Sequence, residues 1–333
     1  MSWHATEETD GAGIPRLEVG EGIEAAFRWI ETNLSVLWDG IQSLIAWSTG
    51  GLVSILTAPD ALVLAVIFSL LAWLLRNWKF ALVSFAMWLF VISVEQWQNA
   101  MLTLVMVMVA TIIALILAVP IGIAAAKSNK VSQFVRPVMD LMQTMPAFVW
   151  LVPVITLFSV GITPGVIATI IFALPPGVRL TELGIRQVDA EVVEAGQAFG
   201  NTGVQILRKI QLPLAMPTIM AGVNQVIMLA LSMAVIGGMV GAPGLGLEVT
   251  RAISTIDIGL GFESGLSVVV LAIYLDRVTA AVGSRGPGET RGHLARMFRF
   301  RRAPAASSAT TAGADDQGDT GAAGPPKQVP IPG

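Results

Sequence analysis

The sequence predicts an all-α membrane protein of about seven transmembrane helices with an N-terminal amphipathic surface helix, and three observations carry that prediction. Hydrophobic residues make up 54% of the 333 residues and charged residues 13%, with a mean hydropathy of +0.72. That leaves too little polar surface to cover a soluble globule of this length. Apolar runs of membrane length recur along the chain, and the basic residues collect in alternate interruptions between them. The net charge of -3 says little, because in a membrane protein the placement of charge outweighs its sum.

The first residues carry His4, Glu7, Glu8 and Asp10 with neither a basic region nor an early apolar core, the wrong pattern for a cleaved signal peptide. Further on, Ile23, Phe27, Ile30, Leu34, Leu37, Trp38, Ile41, Leu44 and Ile45 recur at helical spacing, with Glu21, Glu24, Glu31 and Asp39 between them. An amphipathic helix on the outer membrane surface satisfies this pattern. An eighth span would bury Glu31 and Asp39 near the bilayer centre, at about 2.5 to 3.5 kcal/mol for an Asp. The extracytoplasmic N-terminal segment is therefore expected over residues 1–58.

Uninterrupted apolar runs mark spanning helices, because backbone N–H and C=O groups must pair within the segment once water is gone. Seven are expected, over 59–75, 80–96, 100–123, 137–160, 162–178, 214–240 and 258–277. The last has a short apolar core, Leu266 to Leu275, so Glu263 and the Asp276-Arg277 pair must lie near opposite interfaces or face protein. The transmembrane domain thus occupies 59–283 and a basic, then disordered, cytoplasmic tail occupies 284–333; beyond Arg302 the chain is Ala, Gly, Ser, Thr, Pro and Asp without apolar periodicity.

Orientation follows from Lys and Arg. With an outside N-terminus, Arg76, Lys79, Lys127, Lys130, Arg136, Arg179, Arg186, Arg208, Lys209 and the arginines from Arg277 to Arg302 all fall inside. Only Arg16, Arg28 and Arg251 fall outside, and the positive-inside rule selects this arrangement. The chain is expected as a multi-pass protein of the bacterial cytoplasmic membrane with its C-terminus in the cytoplasm.

The polar interruption at 189–213 has a fine structure of its own. Asp189 suits an N-cap, Val192, Val193, Ala195, Ala198 and Phe199 form an apolar side, and Gly200 suits a left-handed C-cap. Thr202-x-x-Gln205 has the spacing of a capping box for a second short helix, and Pro213 and Pro217 mark the restart into the sixth span. The small residues Ala195, Gly196 and Gly200 let another backbone come close. An ordinary helical hairpin whose glycines only end helices would account for part of this pattern.

Written as a pattern, Glu194, Ala195, Gly196, Gly200, Ile210, Leu212 and Pro213 spell E-A-G-x3-G-x9-I-x-L-P. This resembles the EAA loop of permease subunits from binding-protein-dependent ABC importers, E-A-A-x3-G-x9-I-x-L-P, with Gly196 in place of the second Ala. Met142-Gln143-Thr144-Met145-Pro146-Ala147-Phe148, Ile171-Phe172-Ala173-Leu174-Pro175-Pro176 and the run from Leu212 to Ser232 are similar to the glycine betaine/proline branch. The likeness covers roughly residues 20–283.

The resemblance implies a type I ABC importer permease fold and a loop that docks into an ATPase subunit, converting its closure on ATP into rotation of the membrane helices. Glu194 would contribute a charged contact or a helix cap, and Gly200 the turn. Also implied are two ATPase subunits carrying the ATP and Mg, an extracytoplasmic binding protein and a second copy of the chain. The cargo would be a compatible solute, glycine betaine first and proline second, with choline and carnitine also open.

The chain carries no G-x-x-x-x-G-K-[ST] phosphate loop, so it cannot split ATP by that route and is not read as an enzyme. Cysteine is absent and the two histidines, His4 and His293, sit in opposite tails, so no metal site is expected. Membrane lipid is an expected partner and nucleic acid is not. The competing class is an ion-coupled secondary transporter or channel. It would call for inverted repeats or an intramembrane charge relay, and neither is visible.

Asn224, Met228 and Ser232 recur every four residues on the sixth span. That polar stripe fits a translocation path at a dimer axis or a seam of interhelical hydrogen bonds. Gln143 and Thr144, beside Pro146, carry the same two readings, since prolines there bend a helix around a bundle. Trp73, Trp78, Trp88 and Trp97 fall largely near expected span ends and read as an interfacial belt rather than an aromatic cage for a quaternary ammonium.

Overall fold

A computed structural model describes residues 19–283. The acidic N-terminal stretch, the basic segment beyond Arg277 and the tail expected to be disordered lie outside the described residues.

The described chain is helical almost throughout. Two helices open it, α1 (Val19–Asn33) and α2 (Ser35–Thr57), followed by α3 (Ala61–Leu75), α4 (Trp78–Ser93) and α5 (Trp97–Lys127). Next come α6 (Asn129–Thr144), α7 (Ala147–Phe158) and α8 (Ile162–Arg186), then the short α9 (Ala190–Ala198) and α10 (Gly203–Ile206). The chain ends in α11 (Leu212–Gly237), α12 (Leu245–Thr255) and α13 (Ile258–Gly283).

Among the described residues four stretches are long and apolar enough to cross a membrane alone: α5, α8, Gly203–Val240 and α13. The count reaches six if two bent pairs each form one span: α2 with α3, bent by 100°, and α6 with α7, bent by 97°. With the shorter apolar helix α4 counted as well, the apolar segments number seven, as the sequence predicts, but their bounds change. The expected span over 137–160 breaks at Met145-Pro146, because Pro146 lacks an N–H and forces Met145 to extended angles (φ -71, ψ 135). α3 and α4, at 15 and 16 residues, are shorter than the roughly 20 that cross a bilayer unaided.

The single surface helix expected near the N-terminus is two helices, interrupted at Leu34. α1 stays largely exposed, whereas α2 turns Ile45, Thr49 and Leu56 into the bundle. Ile45 and Leu56 share one buried cluster with Met101, Leu104 and Val105 of α5. The expected break at residue 58 therefore does not separate α2 from the core.

α5 is the central post, packed against α8 and α11. Small residues set that approach: a Cβ on Gly122 would meet the Thr181 Cβ at 2.6 Å, and one on Gly177 would meet the Ala118 Cβ at 2.9 Å. In lipid, where tails compete with side chains for apolar contact, such close backbone approach replaces the hydrophobic drive of water.

A second packing device lies between α3, α4, α5 and α13. Phe68, Trp88, Trp97 and Tyr274 form a ring cluster with centroids 5.1 to 6.5 Å apart, in tilted and edge arrangements. The Tyr274 hydroxyl donates to the Phe68 carbonyl at 3.0 Å. Trp88 is 0% exposed and Trp97 is 7% exposed, so these two are core and not belt, while Trp73 and Trp78 stay exposed as expected. Nearness to a span end along the sequence did not reveal which way the indoles point.

Candidate functional site

The polar interruption between α8 and α11 folds as two short helices and a widened turn. The Asp189 carboxylate accepts from the Glu191 N–H at 3.0 Å, capping α9. At the other end the Asn201 N–H donates to the Gly196 carbonyl and the Gly200 N–H to the Gln197 carbonyl, a Schellman closure with Gly200 at φ +79. The Asn201 side-chain amide adds a second bond to the Gly196 carbonyl at 3.0 Å. Thr202 and Gln205 then form the reciprocal capping box of α10.

Each element of the sequence pattern has a physical task. Gly196 is buried, and a Cβ placed there would meet the Ile210 Cδ1 at 2.5 Å, so Ile210 fills the space that the glycine leaves open. Leu212 packs with Leu207 against Ile185, Ala215 and Ile219, seating the start of α11 on the end of α8. Pro213 has no N–H to give, and its ring would crowd the carbonyl four residues earlier. Leu207–Gln211 accordingly widens into a π turn, in which the Leu212 N–H reaches the Leu207 carbonyl. The Lys127 ammonium, at the end of α5, donates to the Gly203 carbonyl at 3.1 Å and ties the loop to the central post.

Among the polar and charged residues on the surface of the loop stand exposed apolar side chains. Phe199 is 87% exposed and Val192 and Val204 are exposed too, although Gly196 and Ile206 beneath them are buried. Glu194 is exposed, forms no ion pair among the described residues and does not cap α9, since Asp189 does. It lines an open cleft of about 400 Å³ with Lys127, Arg186, Gln197 and Gln211, between α9 and the ends of α5 and α8.

The other residues singled out by spacing divide. The Asn224 side chain donates to Asp276 at 3.1 Å and accepts from the Thr279 hydroxyl at 2.7 Å, so it joins α11 to α13. Met228 and Ser232, one and two turns on, remain exposed, as does Thr144, and Gln143 is half-buried beside the Pro146 bend.

Sequence reasoning missed a polar seam between α6 and α8. Glu182, only 5% exposed, accepts from the Ser132 hydroxyl at 2.8 Å and from Arg136 at 3.1 Å, both on α6, and forms an ion pair with Arg186 at 2.9 Å on its own helix. Arg186 also reaches the Ala125 carbonyl at 2.8 Å and the Asn129 side chain at 3.0 Å. Three residues before Glu182, Arg179 pairs with Asp140 of α6. The signal was in the spacing: 132, 136 and 140 share a face of α6, and 179, 182 and 186 share a face of α8.

Comparison with known proteins fits this arrangement. Residues 118–285, half of the chain, match the family described as binding-protein-dependent transport system inner membrane component. The chain belongs to that family. As a family member it is the membrane-embedded permease component of an importer. The glycine betaine transport system permease protein OpuAB of Bacillus subtilis is 45% identical over 266 residues, 80% of this chain and 94% of the relative. The glycine betaine/proline betaine permease protein ProW of Escherichia coli is 43% identical over 275 residues, 82% of this chain and 77% of that protein. The glycine betaine/carnitine permease protein GbuB of Listeria monocytogenes is 42% identical over 272 residues. Among solved structures, an inward-facing MetNI methionine ABC transporter chain superposes with a TM-score of 0.52 at 21% identity, over 56% of this chain and 94% of the other. That likeness bears on the fold alone.

Proposed function

We propose that this chain is the translocation subunit of an ATP-driven importer for a compatible solute, glycine betaine first and proline or proline betaine second. The observation that carries the substrate class is the 42 to 45% identity, over about four fifths of the chain, to permeases named for glycine betaine. A binding protein outside the membrane delivers the solute. Two ATPase subunits inside supply the work, and two copies of this chain enclose the path.

The loop of Glu194, Ala195, Gly196, Gly200, Ile210, Leu212 and Pro213 is the coupling element in this reading. Its exposed Phe199, Val192 and Val204 form a small apolar knob on a rigid, doubly capped hairpin, the kind of surface that a cleft in a partner covers. The path in this reading runs past Met228, Ser232, Gln143 and Thr144; the exposure of Met228, Ser232 and Thr144 supports it, while Asn224 is held in the α11–α13 contact. In this reading α4 is a span, five spans precede the loop, and the N-terminus lies outside with the loop in the cytoplasm, an orientation supported by the Lys and Arg bias.

Reconstitution tests the whole reading. In proteoliposomes, uptake of radiolabelled glycine betaine is expected only with the binding protein, the ATPase subunit and ATP together, and the permease alone is expected to bind the solute weakly. Uptake driven by an ion gradient without ATP would replace the importer with a secondary carrier. Because the chain has no cysteine, orientation is testable with single substitutions. An impermeant thiol reagent on intact cells should label Gly20→Cys and spare Gln197→Cys; the reverse pattern would invert the topology.

A further inference from the structure

We infer that Glu182 is a positioning residue that locks α6 to the loop end of α8, so that displacement of the coupling loop is passed through α6 to the Pro146 bend and on to α7. The inference rests on the coupling-loop reading above.

The argument starts from how weakly α6 is otherwise held. Of its 16 residues only Ser132 and Met139 are buried, and Met139 meets a small cluster of Ala118, Leu174 and Val178. Apolar contact of that kind is non-directional and lets helices slide past one another. The polar seam is directional. Ser132 and Arg136 both bond Glu182, Asp140 pairs with Arg179 further along α6, and Asn129 accepts from Arg186 at the start of α6, so the two helices run antiparallel along the seam.

Glu182 is the centre of this seam. It is the buried member, and one of its carboxylate oxygens takes two hydrogen bonds from α6 and pairs with the Arg186 guanidinium on α8. A buried carboxylate stripped of its partners is costly, so sliding α6 along α8 is opposed at this point above all.

The seam also occupies the right place in the chain. Glu182 lies seven residues before Asp189, the cap of the first loop helix; a push on the loop reaches it through the short link of Gln187 and Val188 and the last turn of α8, which ends at Arg186. At its far end α6 meets the 97° bend into α7, where Leu151 packs with Ala168 of α8 and Met233 of α11. The loop end and the middle of the bundle are thereby joined by a second route besides α8 itself.

The test measures solute taken up per ATP hydrolysed by the complete importer, permease with its ATPase and binding protein, in proteoliposomes. Glu182→Gln, which keeps the shape and removes the charge, is expected to leave complex yield and ATP hydrolysis near wild type and to lower uptake per ATP by about ten-fold. Ser132→Ala combined with Arg136→Gln removes the α6 partners but leaves the Glu182 and Arg186 pair on α8; it is expected to do the same. It stands in for Glu182→Gln should that variant fail to assemble.

An unchanged ratio, or uptake and hydrolysis falling in proportion, would leave the seam as scaffolding and overturn the inference. Gly200→Val, measured alongside, separates the two levels. If it uncouples transport and the seam variants do not, the seam inference fails alone. If it has no effect, the loop reading fails and the inference resting on it fails too.

Discussion

The loop end of the bundle and the aromatic cluster between α3, α4, α5 and α13 are held together by opposite physics. At the loop end, caps, a lysine-to-carbonyl bond and a charged seam fix each helix in register. In the aromatic cluster, rings meet by edge and tilt, and the Trp88 indole N–H is buried without a hydrogen-bond partner. Polar bonds define position and are lost abruptly, whereas ring packing supplies bulk attraction that tolerates small shifts. A part that receives a push needs the first kind of contact, and a part that only has to stay assembled is served by the second.

The sharpest way to break the comparison is at its packed side. Trp88→Ala should cost about 3 kcal/mol, the low end for emptying an aromatic site, because the alternative to protein here is lipid rather than water. Thermal unfolding of the purified permease in detergent should show a clear fall in midpoint, with much less for Trp88→Phe, which keeps the ring and deletes the unpartnered N–H. If the two variants fall equally, the cluster is not held by ring packing.

On the loop side the expected effect is smaller in stability and larger in work done. Gly200→Val forces a β-branched residue to φ +79, at roughly 1 to 2 kcal/mol of strain, in an exposed turn with no neighbour to clash. The protein should still insert at normal abundance on an immunoblot while betaine uptake drops. Normal uptake would remove the loop from the coupling role.

The smallest effect is expected at Gly196. Gly196→Ala gains helix propensity of up to about 1 kcal/mol. It also places a methyl against the Ile210 Cδ1, the movable tip of a side chain. The two offset, so both melting temperature and uptake should stay close to wild type. A marked loss would mean that Ile210 cannot yield and that the seat beneath the loop is rigid.

These contrasts also explain what was legible beforehand. The caps at Asp189 and Thr202, the turn at Gly200 and the apolar spans are local: they depend on residues a few positions apart, and the structure has them where the spacing put them. The bend at Pro146 was half legible, since the proline was visible but not whether the helix would curve or break. The α6–α8 seam pairs residues 39 to 57 positions apart, and Asn224 meets Asp276 across 52. No single helix pattern names such a partner. Trp88 and Trp97 were misread for the same reason, because burial is decided by neighbours supplied from other helices.

The length of α5 has a consequence for where force enters. Its 31 residues extend about 46 Å, against roughly 30 Å of hydrocarbon. About 16 Å of this helix must stand clear of the lipid tails or be taken up by tilt, and the end with Lys127 is the one that carries a charge. That end holds the Gly203 carbonyl. In the proposed coupling role the helix serves as a strut, holding the hairpin among the headgroups and water, where a soluble partner reaches the exposed Phe199 without displacing the bilayer.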